Sequence, residues 1–338
     1  MVARRVEKPF GILARCLYEA RVSCMRWRET IIMTQTQETI GFIGLGLMGH
    51  GMAKNIVEAG YQLTVMGHRN RKPIEDVVAR GATEVKSAKE IAAASSIIFL
   101  CVTGSRQVEE IIRGENGLKA GLKKGAVIVD CSTAEPNSTL ALAAELEEMG
   151  VDYVDAPLGR TPKEAWEGAL DTMVGARDDV LERIRPVLDT WAGKIVHIGG
   201  VGDGHKMKLL NNFLSLGYGA LYAEALTLAQ KVGISPQRFD SVIRGSRMDC
   251  GFYQTFMGYT LEGNREAHKF TLTNARKDMT YLESMADAAG VANPIGNAVK
   301  NAFAMAVSTG GDGAEDYIPH LPVFVGKLSG ADMTPKKS

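Results

Sequence analysis

Short apolar runs alternate with longer amphipathic stretches from Thr39 onwards. Runs rich in Val and Ile and bounded by Gly, Asp or Ser are typical of buried strands, and apolar residues at spacings of three and four indicate helices between most of them. This alternation predicts an α/β fold with a doubly wound, mainly parallel sheet. The predicted strands are 39–44, 62–66, 96–102, 126–130, 153–156, 172–175 and 195–198.

The strand pattern stops near Gly200 and does not return. Residues 205–232 predict one long helix closed by Gly233, and helical stretches continue to about Gly310. A chain of 338 residues is long enough for two such domains. We therefore predict an extension over residues 1–38, an α/β domain over 39–200, a helical domain over 201–328 and a frayed tail over 329–338.

Charge and composition restrict the partners. The chain has 39 basic and 39 acidic residues, so its formal net charge is zero. That balance lacks the basic field that attracts nucleic acid or an anionic membrane surface, and no apolar run reaches the roughly 18 residues of a spanning helix. We expect neither partner. Function must then come from local sites, and a small molecule is the expected partner.

The first 38 residues carry seven basic and four acidic residues, which leaves 32 basic against 35 acidic residues in the body. Transit peptides are poor in acidic residues, so we favour a dispensable extension and keep a transit peptide as the alternative. The five cysteines form no Cys-x-x-Cys pair and no zinc spacing. We expect no metal, and reduced, mostly buried thiols in a cytoplasmic protein.

The first predicted strand runs into a glycine loop, Gly44–Gly49 (GLGLMG), which fits G-x-G-x-x-G and opens a helix. In this context Gly44 permits a tight turn, Gly46 lets the backbone approach a pyrophosphate, and Gly49 allows close packing of helix on strand. The loop residues Leu47 and Met48 belong to the same site. The pattern predicts a Rossmann-type dinucleotide-binding domain, with a purely structural glycine turn as the alternative.

The residues after the second strand address the choice of dinucleotide. An Asp or Glu there would bind the ribose 2′-hydroxyl of NAD, but the sequence has no acid in Gly67–Arg71 (GHRNR). Arg69 and Arg71 could hold a 2′-phosphate, with His68 as an accessory contact. We favour NADP(H), with NAD(H) as the alternative.

Five sequence blocks follow one another in order over about residues 39–310: 41–49 (GFIGLGLMG), 130–136 (DCSTAEP), 155–157 (DAP), 202–212 (GDGHKMKLLNN) and 270–278 (FTLTNARKD). In these blocks the chain resembles the β-hydroxyacid dehydrogenases, the family of 3-hydroxyisobutyrate dehydrogenase. The resemblance implies an NAD(P)-dependent oxidoreductase whose helical domain is like that of 6-phosphogluconate dehydrogenase. It also implies a homodimer or homotetramer.

The resemblance assigns Lys208 as the catalytic lysine and Asn212 as its substrate-positioning partner. Their spacing of four places both on one face of the long helix, where a lysine can exchange the proton of an alcohol. By contrast, we expect His205 and Lys206 to face solvent or a loop. The other residues assigned by resemblance are Val102, Thr103, Thr133 and Lys277 for the cofactor and Ser132 and Asn211 for the substrate.

The substrate loop departs from the family. Most members have Ser-Gly-Gly where this chain has Gly159, Arg160 and Thr161. A guanidinium suits an anionic head group, and the variant is similar to the 3-sulfolactaldehyde reductases of the family. We expect Arg160 and Thr161 to bind the anion and Gly159 to give backbone access. A carboxylated semialdehyde of the 3-hydroxyisobutyrate, succinic or tartronate type remains an alternative substrate, and a non-catalytic dinucleotide-binding protein an alternative class.

Overall fold

The computed structural model describes residues 38–335. Within them, the first domain contains a sheet of nine strands in the order β3-β2-β1-β4-β5-β6-β8-β7, with β9 paired to β8. The first six strands are parallel, and β8 runs antiparallel to β6 and β7. The strands are β1 Thr39–Ile43, β2 Gln62–Met66, β3 Thr83–Val85, β4 Ile97–Leu100, β5 Val127–Asp130, β6 Asp152–Asp155, β7 Leu158–Gly159, β8 Leu170–Gly175 and β9 Ala192–Gly199.

Helices cover both faces of this sheet, which explains why its central strands read as continuous apolar runs. On β4, Ile97 and Phe99 pack into one core, whereas Ile98 and Leu100 pack into a second core on the opposite face. The helices of this domain are α1 Gly49–Glu58, α2 Lys72–Ala79, α3 Ala88–Ala94, α4 Ser105–Arg113, α5 Pro136–Glu147, α6 Pro162–Glu167 and α7 Asp178–Leu188, with a 3₁₀ turn at Leu118–Ala120.

The second domain is built around the 29-residue helix α8, Asp203–Lys231. Its core collects Leu216, Ala223, Tyr253, Phe256 and Phe303 from several helices. The remaining helices are α9 Pro236–Ile243, α10 Gly251–Glu262, α11 Leu272–Ala288, α12 Pro294–Ser308 and α13 Leu321–Leu328, with a 3₁₀ turn at Ile318–His320. The predicted fold class, a Rossmann-type sheet followed by a helical domain, is confirmed.

The structure corrects the prediction for two short strands and for the C-terminal tail. The pattern missed β3 and β7 because they are short edge strands of three and two residues. The predicted tail over 329–338 is wrong at its start, since Ala331 and Met333 are buried against the second core. Residues 1–37 and 336–338 lie outside the described residues, as do the predictions made for them.

Glu38, assigned to the extension, belongs to the folded body because it forms an ion pair with Arg183 (2.9 Å). Of the cysteines in the described residues, Cys131 is buried, Cys101 is partly buried and Cys250 is exposed. Between residues 38 and 335 no helix combines the length and hydropathy that a membrane crossing requires.

Candidate active site

The glycine loop lies between β1 and α1, where the strand order reverses between β1 and β4 and α/β proteins bind their ligands. A Cβ on Gly44 would collide with the Cys101 carbonyl, and one on Gly49 with the Gly44 carbonyl. Gly44 also has a φ of +104°. A Cβ on Gly46 would instead meet nothing within 4 Å. Two glycines therefore serve the fold, and the third leaves open space beside the backbone.

That open space fits a dinucleotide pyrophosphate. The first turn of α1 has no acidic residue, and the residue before the helix, Met48, makes no side-chain cap. The His50 N–H donates to the Gly46 carbonyl (3.1 Å), whereas the N–H groups of Leu47 and Met48 donate to no other described residue. These two groups, at the start of α1, are available to an anion that the helix dipole also favours. Leu47, at the tip of the loop, is exposed.

Arg71 lies over the end of β2. Its guanidinium binds both carboxylate oxygens of Glu84 (2.7 and 2.9 Å) and occupies the space that a side chain on Gly67 would need. This ion pair holds the pKa of Glu84 below its usual range. His68 and Arg69 are exposed, and their side chains bind no other residue of the described chain. Glu84 was not identified in the sequence, because it lies on the short edge strand β3, which the pattern missed.

The loops after β4 and β5 meet at the carboxyl edge of the sheet. Ser132 is buried, and its hydroxyl accepts a hydrogen bond from the Val102 N–H (3.0 Å), while Thr103 is exposed. The Lys277 ammonium reaches across from α11 to the Thr133 carbonyl (2.8 Å). The structure therefore brings together residues that the resemblance had assigned separately to the cofactor and the substrate.

Lys208 and Asn212 face the same cleft from α8. Asn212 is 5% exposed, and its amide donates to Oδ2 of Asp278 (2.7 Å). Asp278 is 1% exposed, and its Oδ1 lies 2.8 Å from the Lys277 ammonium. Asp278 thus joins the two helices that carry the proposed catalytic and cofactor lysines. It was missed in the sequence, although it directly follows Lys277.

Burial lowers the pKa of the Lys208 ammonium; the charge of Asp278 opposes this and that of Lys277 adds to it. His268, also missed, packs edge-on against Phe252 (ring centroids 5.6 Å apart). Burial, with the nearby charge of Lys208, lowers the pKa of His268 to about 4. Lys208 thus lies in a partly desolvated cleft beside a neutral imidazole, the environment that brings a lysine towards general acid–base use.

His205 faces a loop, which is one of the two expected alternatives, since its Nε2 contacts the Ser132 carbonyl (3.1 Å). Its side chain is fully buried, because the first turn of α8 packs under the loop after β5 rather than facing solvent. Lys206 does face outward and pairs with Asp203 (2.9 Å). Asn211 is exposed and lies at the limit of hydrogen-bond distance from Asn212 (3.5 Å).

The substrate loop has an unusual backbone. Arg160 has a φ of +76°, and among the described residues it is the one non-glycine with a positive φ. Such a conformation costs about 1 kcal/mol in an L-residue. Its side chain is half exposed and pairs with Asp171 (2.9 Å). Gly159 is partly buried, and Thr161 caps α6 in a capping box with Glu164.

Two family profiles match consecutive stretches of this chain. The NAD-binding domain of 6-phosphogluconate dehydrogenase matches residues 39–199, and the NAD-binding domain of NADP-dependent 3-hydroxyisobutyrate dehydrogenase matches residues 202–319. The 3-sulfolactaldehyde reductase of Escherichia coli is 30% identical over 278 residues, or 82% of this chain and 93% of that protein. The chain belongs to the β-hydroxyacid dehydrogenase family.

As a β-hydroxyacid dehydrogenase, the protein is an oxidoreductase that uses a pyridine nucleotide. The 2-(hydroxymethyl)glutarate dehydrogenase of Eubacterium barkeri is 40% identical over 204 residues, or 60% of this chain and 67% of that protein. The 2-hydroxy-3-oxopropionate reductase of Escherichia coli is 39% identical over 209 residues, or 61% of this chain and 70% of that protein.

The structure of 3-hydroxyisobutyrate dehydrogenase from Mycobacterium tuberculosis with L-serine has a TM-score of 0.73 at 28% identity. The match covers 84% of this dehydrogenase and 98% of the mycobacterial chain. The similarity therefore includes both domains and the cleft between them. Three curated relatives with different names, at 30–40% identity, do not by themselves select one substrate.

Proposed function

We propose that the protein reduces a short anionic aldehyde to the corresponding hydroxy acid, or catalyses the reverse reaction, with NADP(H) as the preferred cofactor. The observation that carries this proposal is the partly desolvated Lys208 one helical turn from Asn212, whose amide is held by Asp278. The 3-sulfolactaldehyde reductase among the relatives supports a sulfonate as the anion. The 2-hydroxy-3-oxopropionate reductase supports a carboxylate as the second candidate.

Each site residue has a separate task in this proposal. The Lys208 ammonium donates a proton to the carbonyl oxygen during reduction, and the neutral amine removes the hydroxyl proton during oxidation. Asn212, whose amide is oriented by Asp278, positions that oxygen. Lys277 and Thr133 line the nicotinamide side of the cleft. A bound nicotinamide supplies or accepts the hydride.

The proposed cofactor residues surround the open space beside Gly46 and the end of β2. The N–H groups at the start of α1, with Gly46, would hold the pyrophosphate, while Val102 and Thr103 would line the adenosine ribose. Arg69 and Arg71, with His68 beside them, would contact a 2′-phosphate in the absence of an acid at the end of β2. Glu84 keeps the Arg71 guanidinium at that strand end.

Arg160 is the proposed anchor for the anion, with Thr161 and Gly159 completing the loop and Ser132 and Asn211 next to it. The left-handed backbone at Arg160 supports this role, because strain of this kind is retained where a conformation serves function. In the described chain its guanidinium binds Asp171 through Nε, which leaves its two terminal amino groups for an anion.

The test is an activity matrix of NADPH and NADH against 3-sulfolactaldehyde, tartronate semialdehyde, succinic semialdehyde and an uncharged aldehyde. We expect NADPH to be favoured by about tenfold or more, as a charged hydrogen bond to a phosphate would give. Arg160→Ala should raise KM for the anionic aldehydes by about 10- to 100-fold and leave KM for the uncharged aldehyde unchanged.

Lys163→Ala is the matched control, since that lysine lies in the adjoining helix and its side chain is 77% exposed. An unchanged KM for every anionic aldehyde in Arg160→Ala would remove Arg160 from the site. A higher kcat/KM for 3-sulfolactaldehyde than for the carboxylated aldehydes would assign the sulfonate as the substrate, and a lower value would assign the carboxylate.

We also propose that the protein is a homodimer or homotetramer in the cytoplasm. Cell fractionation tests the location, because a transit peptide would direct the protein to an organelle. A stripe of apolar side chains on α8 is exposed at helical spacing: Met207, Leu210, Leu214, Tyr218, Leu221 and Leu228. An exposed stripe of this length is typical of an interface. The native protein should sediment as a dimer or larger, and Leu214→Glu with Leu221→Glu should shift it towards monomer. A native monomer at micromolar concentration would contradict the proposal.

A further inference from the structure

His205 makes two side-chain hydrogen bonds in the first turn of α8, although it is not among the residues that contact substrate or cofactor in the proposed reaction. Its Nδ1 lies 2.7 Å from the hydroxyl of Thr139 on α5, and its Nε2 lies 3.1 Å from the carbonyl oxygen of Ser132. Because a carbonyl oxygen only accepts, Nε2 must carry a hydrogen and donate it. The ring thus ties α8 to α5 and to the loop that carries Ser132 and Thr133.

Two buried carboxylates complete the surroundings of His205. Asp155 accepts the backbone N–H groups of Gly202 (2.6 Å) and His205 (2.7 Å), so it fixes the N-terminal end of α8. Asp130 accepts the Ser132 N–H (2.9 Å) and the Tyr153 hydroxyl (2.9 Å), so it fixes the loop that His205 contacts. Their Oδ2 atoms lie 3.9 Å (Asp130) and 4.0 Å (Asp155) from the ring nitrogens.

Separate contacts hold different parts of α8. The buried residues of α8, such as Leu209 and Leu216, set its orientation within the second domain, and Asp155 holds the backbone at its N-terminal end. The His205 side chain adds a contact between the first turn of α8 and the loop after β5 in the first domain.

Lys208 follows His205 by three residues and so projects from the same side of the helix. Four residues further on, Asn212 is pinned by Asp278. Lys208 therefore lies between two fixed side chains.

We propose that His205 is a positioning residue: its bond to the Ser132 carbonyl fixes the first turn of α8 against the loop after β5 and thereby aims the Lys208 ammonium at the reacting oxygen. The inference rests on the proposed role of Lys208. A proton donor displaced by about 1 Å loses about 100-fold in rate, so a link of this kind has a measurable effect on turnover.

The test compares His205→Gln, His205→Asn and His205→Ala. The Gln amide nitrogen can take the place of Nε2 and keep the bond to Ser132, whereas the Asn amide can take only the place of Nδ1. We expect the Gln variant to keep kcat within about threefold of the native value, and the Asn and Ala variants to lose about 10- to 100-fold. KM for the cofactor should change less than about twofold, and kcat is normalised to the folded fraction measured by circular dichroism.

Two further variants separate positioning from folding and from the proposed function. In a Lys208→Ala background, His205→Asn should cause almost no additional loss, because it acts through the lysine. Lys206→Ala, one residue away, is the control and should have native kcat. A His205→Asn variant with a lower melting temperature but native kcat would overturn the positioning role. If Lys208→Ala itself were fully active, the proposed function would fail instead.

Discussion

Lys208→Ala is expected to lower kcat for aldehyde reduction by about 10²- to 10⁴-fold, the usual contribution of a positioned general acid. The lysine is partly buried, and its pKa is lowered by that burial, which suits it to transfer a proton. The alanine variant should still fold, since its neighbours Asn212 and His205 are held by contacts that do not include Lys208. Steady-state kinetics with saturating cofactor measure the effect.

The matched control for this variant is Lys206→Ala, which removes an equal charge from the same helix at a partly exposed ion pair. Cofactor binding, followed by quenching of protein fluorescence, should stay within about twofold in both variants. Near-native turnover of Lys208→Ala would mean that another group transfers the proton.

The lowered pKa of Lys208 also gives the pH dependence a definite sign. Reduction needs the ammonium form, so kcat for reduction should fall as pH rises through the pKa of Lys208. Oxidation needs the amine and should rise over the same range. Because burial places that pKa below the ordinary lysine value, both changes should occur at a lower pH than an exposed lysine would give.

Asp278→Asn is expected to give the second large effect, on stability and on this pH profile together. The substitution keeps the shape of the side chain but removes the charge that pairs with Lys277 in a buried position. We expect a loss of about 2–3 kcal/mol in the free energy of unfolding, somewhat below the cost of breaking a fully buried pair because Lys277 is partly exposed. Urea denaturation followed by circular dichroism measures it.

The same variant should shift the pH profile downward. The charge of Asp278 raises the pKa of Lys208, so its removal should lower that pKa further and move the decline of reduction to lower pH. Glu283→Gln is the control, because Glu283 lies on the same helix as Asp278, α11, and its pair with Lys300 of α12 is partly exposed. A profile that did not move, or that moved to higher pH, would show that Asp278 does not act on Lys208.

Local patterns were sufficient to predict the fold class and to propose most of the site residues. Buried parallel strands such as β4 can be recognised from their apolar sequence without the tertiary structure. The strand β2 has the bounds that the pattern predicts. The glycine loop was identifiable because its spacing, strand before and helix after are all local. Lys208 and Asn212 could be paired because residues four apart on a helix lie on the same face.

Contacts between distant segments could not be found in this way. Glu84 meets Arg71 because β3 pairs with β2, and Asp278 meets Asn212 because α11 packs on α8, at a separation of 66 residues. The complete burial of His205 could not be predicted, because the helical pattern shows which residues share a face, but not what covers that face.

By itself, the sequence determined two domains, the glycine loop, the absence of an acid after β2 and the spacing of Lys208 and Asn212. Each of these depends on residues close together in the chain, whose geometry follows from backbone and side-chain chemistry alone. Tertiary structure alone decided which charges are paired, which polar groups are buried and which side the helix α8 turns towards the cleft. Those depend on desolvation and on partners from remote elements, and so on the packed chain as a whole.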